Sequence, residues 1–265
     1  MPLPPPNASE IISLLQKTDM PTVLVEGSTD ASIYRIVAKR MGLVVGTFLP
    51  CGGRTVLLEV FRRRFEIVNT VAIAFVADRD MWLFDGMPSG LDEVIFTSGY
   101  SIENDVLHGG VAESLFEENE KEEFESIISE LIKWFAFEVE EYVNGRAPKV
   151  AEPIDKIIPK GSTKLSQDFL DKRGYATPDA SIHSKIKAEY KTLLRGKHLL
   201  DAFHRILYRT NRMSRFDKEN ILELSIKIQP HTMIDKLAAD IVNVIKRDDN
   251  EDTLAQQLIR MYPQP

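Results

Sequence analysis

Three acids stand where apolar runs stop. Glu26 closes Thr22-Val23-Leu24-Val25 and opens the turn Gly27-Ser28-Thr29-Asp30. Asp78 and Asp80 close the run from Val71 to Ala77, in the order Ala77-Asp78-Arg79-Asp80. Apolar runs of this length, bounded by turn residues, read as buried strands. Alternate residues of an extended segment face the same way, so the two aspartates can point together. Glu26 joins them if the two strands are neighbours. Carboxylates crowded in this way repel, and holding them together takes a cation or a proton. Mg²⁺ suits such a site, with Mn²⁺ an alternative, because it takes hard oxygen ligands and keeps water positions open to phosphate oxygens. A metal held there can lower the pKa of a water and stabilise the leaving oxygen of a phosphodiester. The competing use of such acids is capping and turn formation. Asp30, in the first turn of the next helix, fits that second use better.

The elements that must position these acids alternate. A helix capped by Asn7 or Ser9 runs to about Lys17. The strand at Thr22–Val25 leads into a helix with Ser28 at its N-cap and Ile33, Ile36, Val37 and Met41 at helical spacing. Leu43–Leu49 is a second strand, Thr55–Phe65 a helix, Val71–Ala77 a third strand and Glu93–Thr97 a fourth. This order predicts right-handed crossovers and a parallel sheet flanked by helices. The acids then lie at the carboxyl ends of the strands, where open α/β sheets bind ligands. After about Leu107 the pattern turns helical, which predicts an α/β domain over 1–108 and a helical region over 109–265. Glu113–Val143 reads as one long helix with a break near Asn119. Residues 144–163 read as an irregular connection, and helical patterns return at 181–194, 198–209, 218–228, 232–247 and 253–261.

The chain has 265 residues and a net charge of −7, which argues against a general nucleic-acid coat protein. The average hides an asymmetry. Residues 77–145 carry 18 Asp/Glu against 3 Lys/Arg, and residues 146–218 carry 17 Lys/Arg against 8 Asp/Glu. In the basic stretch, Arg205, Arg209 and Arg212 fall at i, i+4 and i+7 with Tyr208 among them. Such a face can follow a phosphate backbone while the tyrosine stacks on an unpaired base. A solvated face with Tyr208 in the core explains the same pattern. Cys51 is the single cysteine, which excludes an intrachain disulfide and a Cys-rich zinc site. Beside Gly52-Gly53, with no His near it in sequence, it reads as inert. No apolar run approaches the roughly 20 residues of a membrane span, and the first residues do not read as a secretory leader. A cytoplasmic setting is expected. No phosphate-binding Gly-x-x-x-x-Gly-Lys-Ser/Thr loop occurs, so any ATPase must be another chain.

Val23-Leu24-Val25-Glu26-Gly27 with Asp30, followed by Asp78-Arg79-Asp80, resembles the signature of the Toprim domain. Tyr100-Ser101-Ile102-Glu103-Asn104 and Arg195-Gly196-Lys197-His198-Leu199-Leu200 resemble segments of a Toprim nuclease subgroup. That subgroup is related to the overcoming-lysogenization-defect nucleases and includes the effectors of PARIS-type anti-phage systems. The Toprim part of the likeness covers about residues 20–108, and the subgroup part extends it to about Leu200. The resemblance implies Glu26 as metal-linked acid or general base, Asp78 and Asp80 as metal ligands, and Glu103 as a further acid. It implies Lys197 at the scissile phosphate. It also implies a ribonuclease directed at tRNA, held and released by an ABC-type ATPase partner; a homodimer fits but no residue pattern demands it. The acids do not distinguish RNA from DNA, so a DNA nuclease stays open, as does a non-catalytic adaptor for an ATPase. A haloacid-dehalogenase-like phosphatase fits less well, because Trp82 stands where that pattern has Thr or Val.

Overall fold

In a computed structural model of the chain, residues 5–41, 47–68, 71–208, 216–228 and 232–245 are described. Strand β1 (Thr22–Val25) is buried at all four positions, as a strand covered on both faces must be. It pairs in parallel with β2 (Thr47–Pro50) on one side and with β3 (Ile73–Ala77) on the other. β4 (Val94–Phe96) adds in parallel to β3, giving the order β2-β1-β3-β4. The predicted parallel sheet is therefore present. Of the expected strand at Leu43–Leu49, the described part is β2 from Thr47, and positions 43–46 lie outside the described residues.

Helix α1 (Ala8–Leu15) precedes the sheet, and Asn7 is its cap, in a reciprocal capping box with Glu10. Helix α2 (Ser28–Met41) links β1 to β2, and α3 (Arg54–Arg62) links β2 to β3. At the start of α2, Asp30 Oδ2 accepts from the Gly27 amide at 2.7 Å. Asp30 does the capping, as its position suggested, while Ser28 lies inside the helix instead of at its cap.

The chain divides into two compact units that interleave in sequence. The first takes 1–78, 89–97 and 234–265, and the second takes 79–88 and 98–233. The chain leaves the first unit after β3, returns for β4, and returns again with a helix over 232–245. That helix buries Ile234, Leu237, Ala238 and Ile241.

The second unit is helical. It comprises α4 (Trp82–Asp85), α5 (Ile102–Leu107), α6 (Glu118–Val143), α7 (Ile154–Ile157), α8 (Gln167–Arg173), α9 (Ala180–Ala188), α10 (Tyr190–Leu193), α11 (Gly196–Leu207) and α12 (Lys218–Ile228). The break before α6 falls at Phe116–Glu117, where Glu117 and Glu120 form a capping box, and Asn119 lies within the helix. Leu131, Trp134, Phe135 and Phe203 are fully buried, and the rings of Phe124 and Phe203 meet at 4.5 Å. The expected segment 253–261 lies outside the described residues. No helix among the described residues is long and apolar enough to cross a membrane.

The acidic and basic stretches are partners in this unit. Glu138 of α6 is fully buried and takes both arms of Arg173, at 2.7 and 2.8 Å, and also the Lys149 amide at 2.7 Å. Glu130 of α6 meets Lys133 at 2.8 Å and Lys164 at 3.1 Å. Part of the charge asymmetry is thus spent on tying the 146–173 segment to α6. Removing one partner of a buried, bidentate pair leaves the other charge uncompensated, which costs about 3–5 kcal/mol. Glu138→Ala is expected to lower unfolding free energy on that scale, measured by urea denaturation, whereas the exposed Lys172→Ala is expected to change it by less than about 1 kcal/mol.

Candidate functional site

On the first unit, the site begins with a register. Thr22, Val23 and Leu24 of β1 stand opposite Ile73, Ala74 and Phe75 of β3. Residues one step beyond the two strands, Glu26 and Asp78, therefore come to the same carboxyl edge. Glu26 Oε1 accepts from the Asp78 amide at 3.0 Å, which joins the two ends directly. The Glu26 side chain is only 15% exposed.

Sequence reasoning missed Arg54, the first residue of α3. Its Nε donates to Glu26 Oε1 at 3.1 Å, and its Nη2 donates to the Asp78 carbonyl at 2.5 Å. One guanidinium thus braces both ends of the acid pair. It follows Gly52-Gly53, where both glycines have positive φ and no sequence signal singles out the next side chain. Cys51 is buried beside this group, and its amide donates to the Val25 carbonyl at 2.9 Å. Burial, reinforced by the negative charge of Glu26, pushes its thiol up to about 12. A thiol held protonated at neutral pH is not a nucleophile.

Asp80 belongs to the second unit and has φ of 47°, alone among the described non-glycine residues in being positive. Its amide donates to the Tyr100 carbonyl at 2.8 Å. The strand ends at Ala77, so the extended alternation used to align Asp78 with Asp80 does not run through Asp80. Asp and Asn tolerate the left-handed region better than other side chains with a Cβ.

Glu103 is also in the second unit, 3% exposed, and its Oε2 accepts from Ser101 Oγ at 2.5 Å. Its neighbour Asn104 is fully buried and works in two directions. Its Oδ1 accepts from the Ser101 amide at 3.0 Å, and its Nδ2 donates to the carbonyls of Lys191 and Leu194, both at 2.8 Å. The Tyr100 amide donates to the Thr192 carbonyl at 2.8 Å. Asp105 accepts from the Ser98 and Gly99 amides at 2.8 and 2.6 Å; burial raises its pKa, with these amides, Arg79 and His108 opposing.

The Arg195-Gly196-Lys197 segment packs on this same α5 start. A Cβ on Gly196 would lie 2.1 Å from Ser101 Oγ, 2.5 Å from Asn104 Oδ1 and 3.1 Å from Glu103 Cβ. The two segments that carried the subgroup likeness are therefore in contact. Lys197 itself is exposed. His198 is fully buried, with Nε2 2.7 Å from the Glu152 carbonyl, and burial together with Arg195 lowers its pKa to about 3. It is a neutral structural imidazole.

Of the predicted nucleic-acid contacts, Arg205 is 13% exposed and bound to Asp155 at 2.7 Å and to the Ile158 carbonyl at 2.8 Å. Tyr208 is 37% exposed and stacks on His204. Arg209 and Arg212 lie outside the described residues.

Among the described residues, no group of three or more His, Cys, Asp or Glu side chains stands where it could hold a metal ion. The donor chemistry of Glu26 and Asp78 nonetheless fits Mg²⁺, which takes one or two carboxylates and fills its other positions with water and phosphate oxygens. A divalent ion at Glu26 has to compete with the Arg54 guanidinium for the same carboxylate. No protein-family model and no curated protein matches this chain.

The contact at Gly196 gives a test of the α5–α11 lock. Gly196→Ala forces a methyl group into Ser101 and Asn104 and is expected to destabilise the protein by about 1–3 kcal/mol. Chemical denaturation measures this, and the exposed neighbour Lys197→Ala is expected to leave the midpoint in place.

Proposed function

We propose that the chain is a metal-dependent phosphodiesterase of Toprim type, an endoribonuclease that cuts tRNA in anti-phage defence under the control of an ABC-type ATPase. The observation that carries this reading is the hydrogen bond joining Glu26 to the amide of Asp78 at the carboxyl edge of two adjacent parallel strands. That edge is where ligands bind in open α/β sheets, and carboxylates placed at it are candidates for a functional site. The motif likeness supplies the class of reaction and the partner.

In this reading Glu26 and Asp78 hold Mg²⁺ or Mn²⁺, and Asp80, two residues along the chain, is the third acid of the pattern. A metal held by these residues would supply Lewis acidity and lower the pKa of an attacking water. Arg54 pairs with the Glu26 carboxylate and fixes its direction through the Asp78 carbonyl. Glu103 is the further acid and Lys197 the phosphate contact of the same reading.

Wild-type protein and Glu26→Gln are incubated with total tRNA in Mg²⁺, Mn²⁺ or EDTA, alone and with the activated ATPase partner. Discrete fragments are expected from wild type with metal only. Activity in Glu26→Gln equal to wild type sinks the assignment of Glu26, and preferential cutting of DNA in a parallel digestion turns the reading to a DNA nuclease. Silence in every arm, with tight ATPase binding, points to an adaptor. Metal binding is tested separately by Mn²⁺ electron paramagnetic resonance. Arg54→Gln is expected to tighten Mn²⁺ binding by roughly tenfold or more, since a unit charge about 4 Å from a divalent ion acts at about 2 kcal/mol even at the dielectric of water; unchanged affinity removes Arg54 as the competitor.

A further inference from the structure

In the second unit a cleft of about 480 Å³ is lined by α7, the turn at Lys160–Gly161, one face of α11 and the start of α12. Sites for small organic ligands span about 300–1,000 Å³. Asp201, His204 and Arg205 line it from one face of α11, and Tyr208 from the C-cap of that helix. The rings of His204 and Tyr208 stack with centroids 4.5 Å apart and planes 27° from parallel. Burial, and then the charge of Lys218, lowers the pKa of His204, with Asp201, Asp217 and Asp155 opposing.

Cations stand around that surface. Lys160 is 83% exposed and pairs with Asp155 at 3.3 Å, and Lys218 is 49% exposed and pairs with Asp201. Exposed pairs of this kind contribute about 0–1 kcal/mol, so an incoming phosphate can take the ammonium groups at little cost. Arg205 is already held by Asp155 and the Ile158 carbonyl and shapes the wall. A stacking surface, two accessible ammonium groups and two carboxylates able to accept from amino or hydroxyl groups form the chemical complement of a nucleotide.

We infer that this cleft binds one nucleotide, with its base stacked on Tyr208 and its phosphate met by Lys160 and Lys218. The nucleotide is either free or one unit of a single strand. The site uses none of the acids assigned to metal, and it stands whether or not they cleave anything.

The full chain in EDTA is titrated with AMP by calorimetry and with fluorescein-labelled hexa-adenylate by anisotropy. Tyr208→Ala, Tyr208→Phe and Lys160→Ala are titrated beside wild type. Tyr208→Ala is expected to weaken binding by roughly fivefold or more, as loss of base stacking does, while Tyr208→Phe keeps it. Lys160→Ala is expected to flatten the salt dependence of the strand by about one phosphate contact. Binding of both probes assigns a site open to free nucleotides, and binding of the hexa-adenylate alone assigns a strand; either supports the inference. No saturable binding of either probe overturns it, as does equal affinity of wild type and a folded Tyr208→Ala. If Tyr208→Ala does not fold, Lys160→Ala decides, and an unchanged affinity and salt slope overturn the inference.

Discussion

β1 is paired in parallel on both sides, and that register governs what the first unit can present. Parallel pairing brings the carboxyl ends of neighbouring strands to one edge. With Leu24 level with Phe75 and Val25 level with Pro50, the residues that follow each strand emerge together. Glu26, Cys51 and Asp78 are those residues. Apolar strands cannot satisfy an acid, so the satisfaction comes from beyond them, from the Asp78 amide and from Arg54 at the head of α3. A slip of one residue between β1 and β3 would turn β1's buried side chains to the opposite face and separate Glu26 from the amide it accepts.

The second unit solves a different problem. Its long helix α6 carries many acids, yet Glu130 and Glu138 face inward. Each is matched by cations from a segment that sequence alone makes look like a separate basic region. Charge that reads along the chain as an acidic block followed by a basic block is, in space, partly a set of pairs. The cations left exposed around α7, α11 and α12 are the ones available to a ligand. This sorting comes from packing: only the acids on the α6 face turned to the core require partners.

The existence of the strands was legible because Val23-Leu24-Val25 and Ala74-Phe75-Val76 are apolar runs of strand length that end at acids, whereas their neighbourhood in the sheet was not. The capping role of Asp30 was legible for the same local reason. Arg54 was not, because a basic residue after two glycines looks like any helix start until its reach to Glu26, 28 positions away, is seen. The left-handed backbone of Asp80 was hidden by an alternation rule that assumes an extended chain. Tyr100-Ser101-Ile102-Glu103-Asn104 was legible as a motif, but not as a structural lock. Asn104 finds its acceptors 87 and 90 residues later, at Lys191 and Leu194, and only the fold brings them near.

The helix over 232–245 carries a consequence for the order in which the protein is made. Asp240, Asn243 and Val244 share a cleft wall with Ile73, Phe75 and Ile95, so the sheet-bearing unit draws on residues separated by most of the chain. During vectorial synthesis the second unit has all its segments by residue 233, while the first still waits for its last helix. The cleft wall that the strands share with that helix is therefore assembled from the two ends of the unit, and it closes only after the whole of the helical unit has been made.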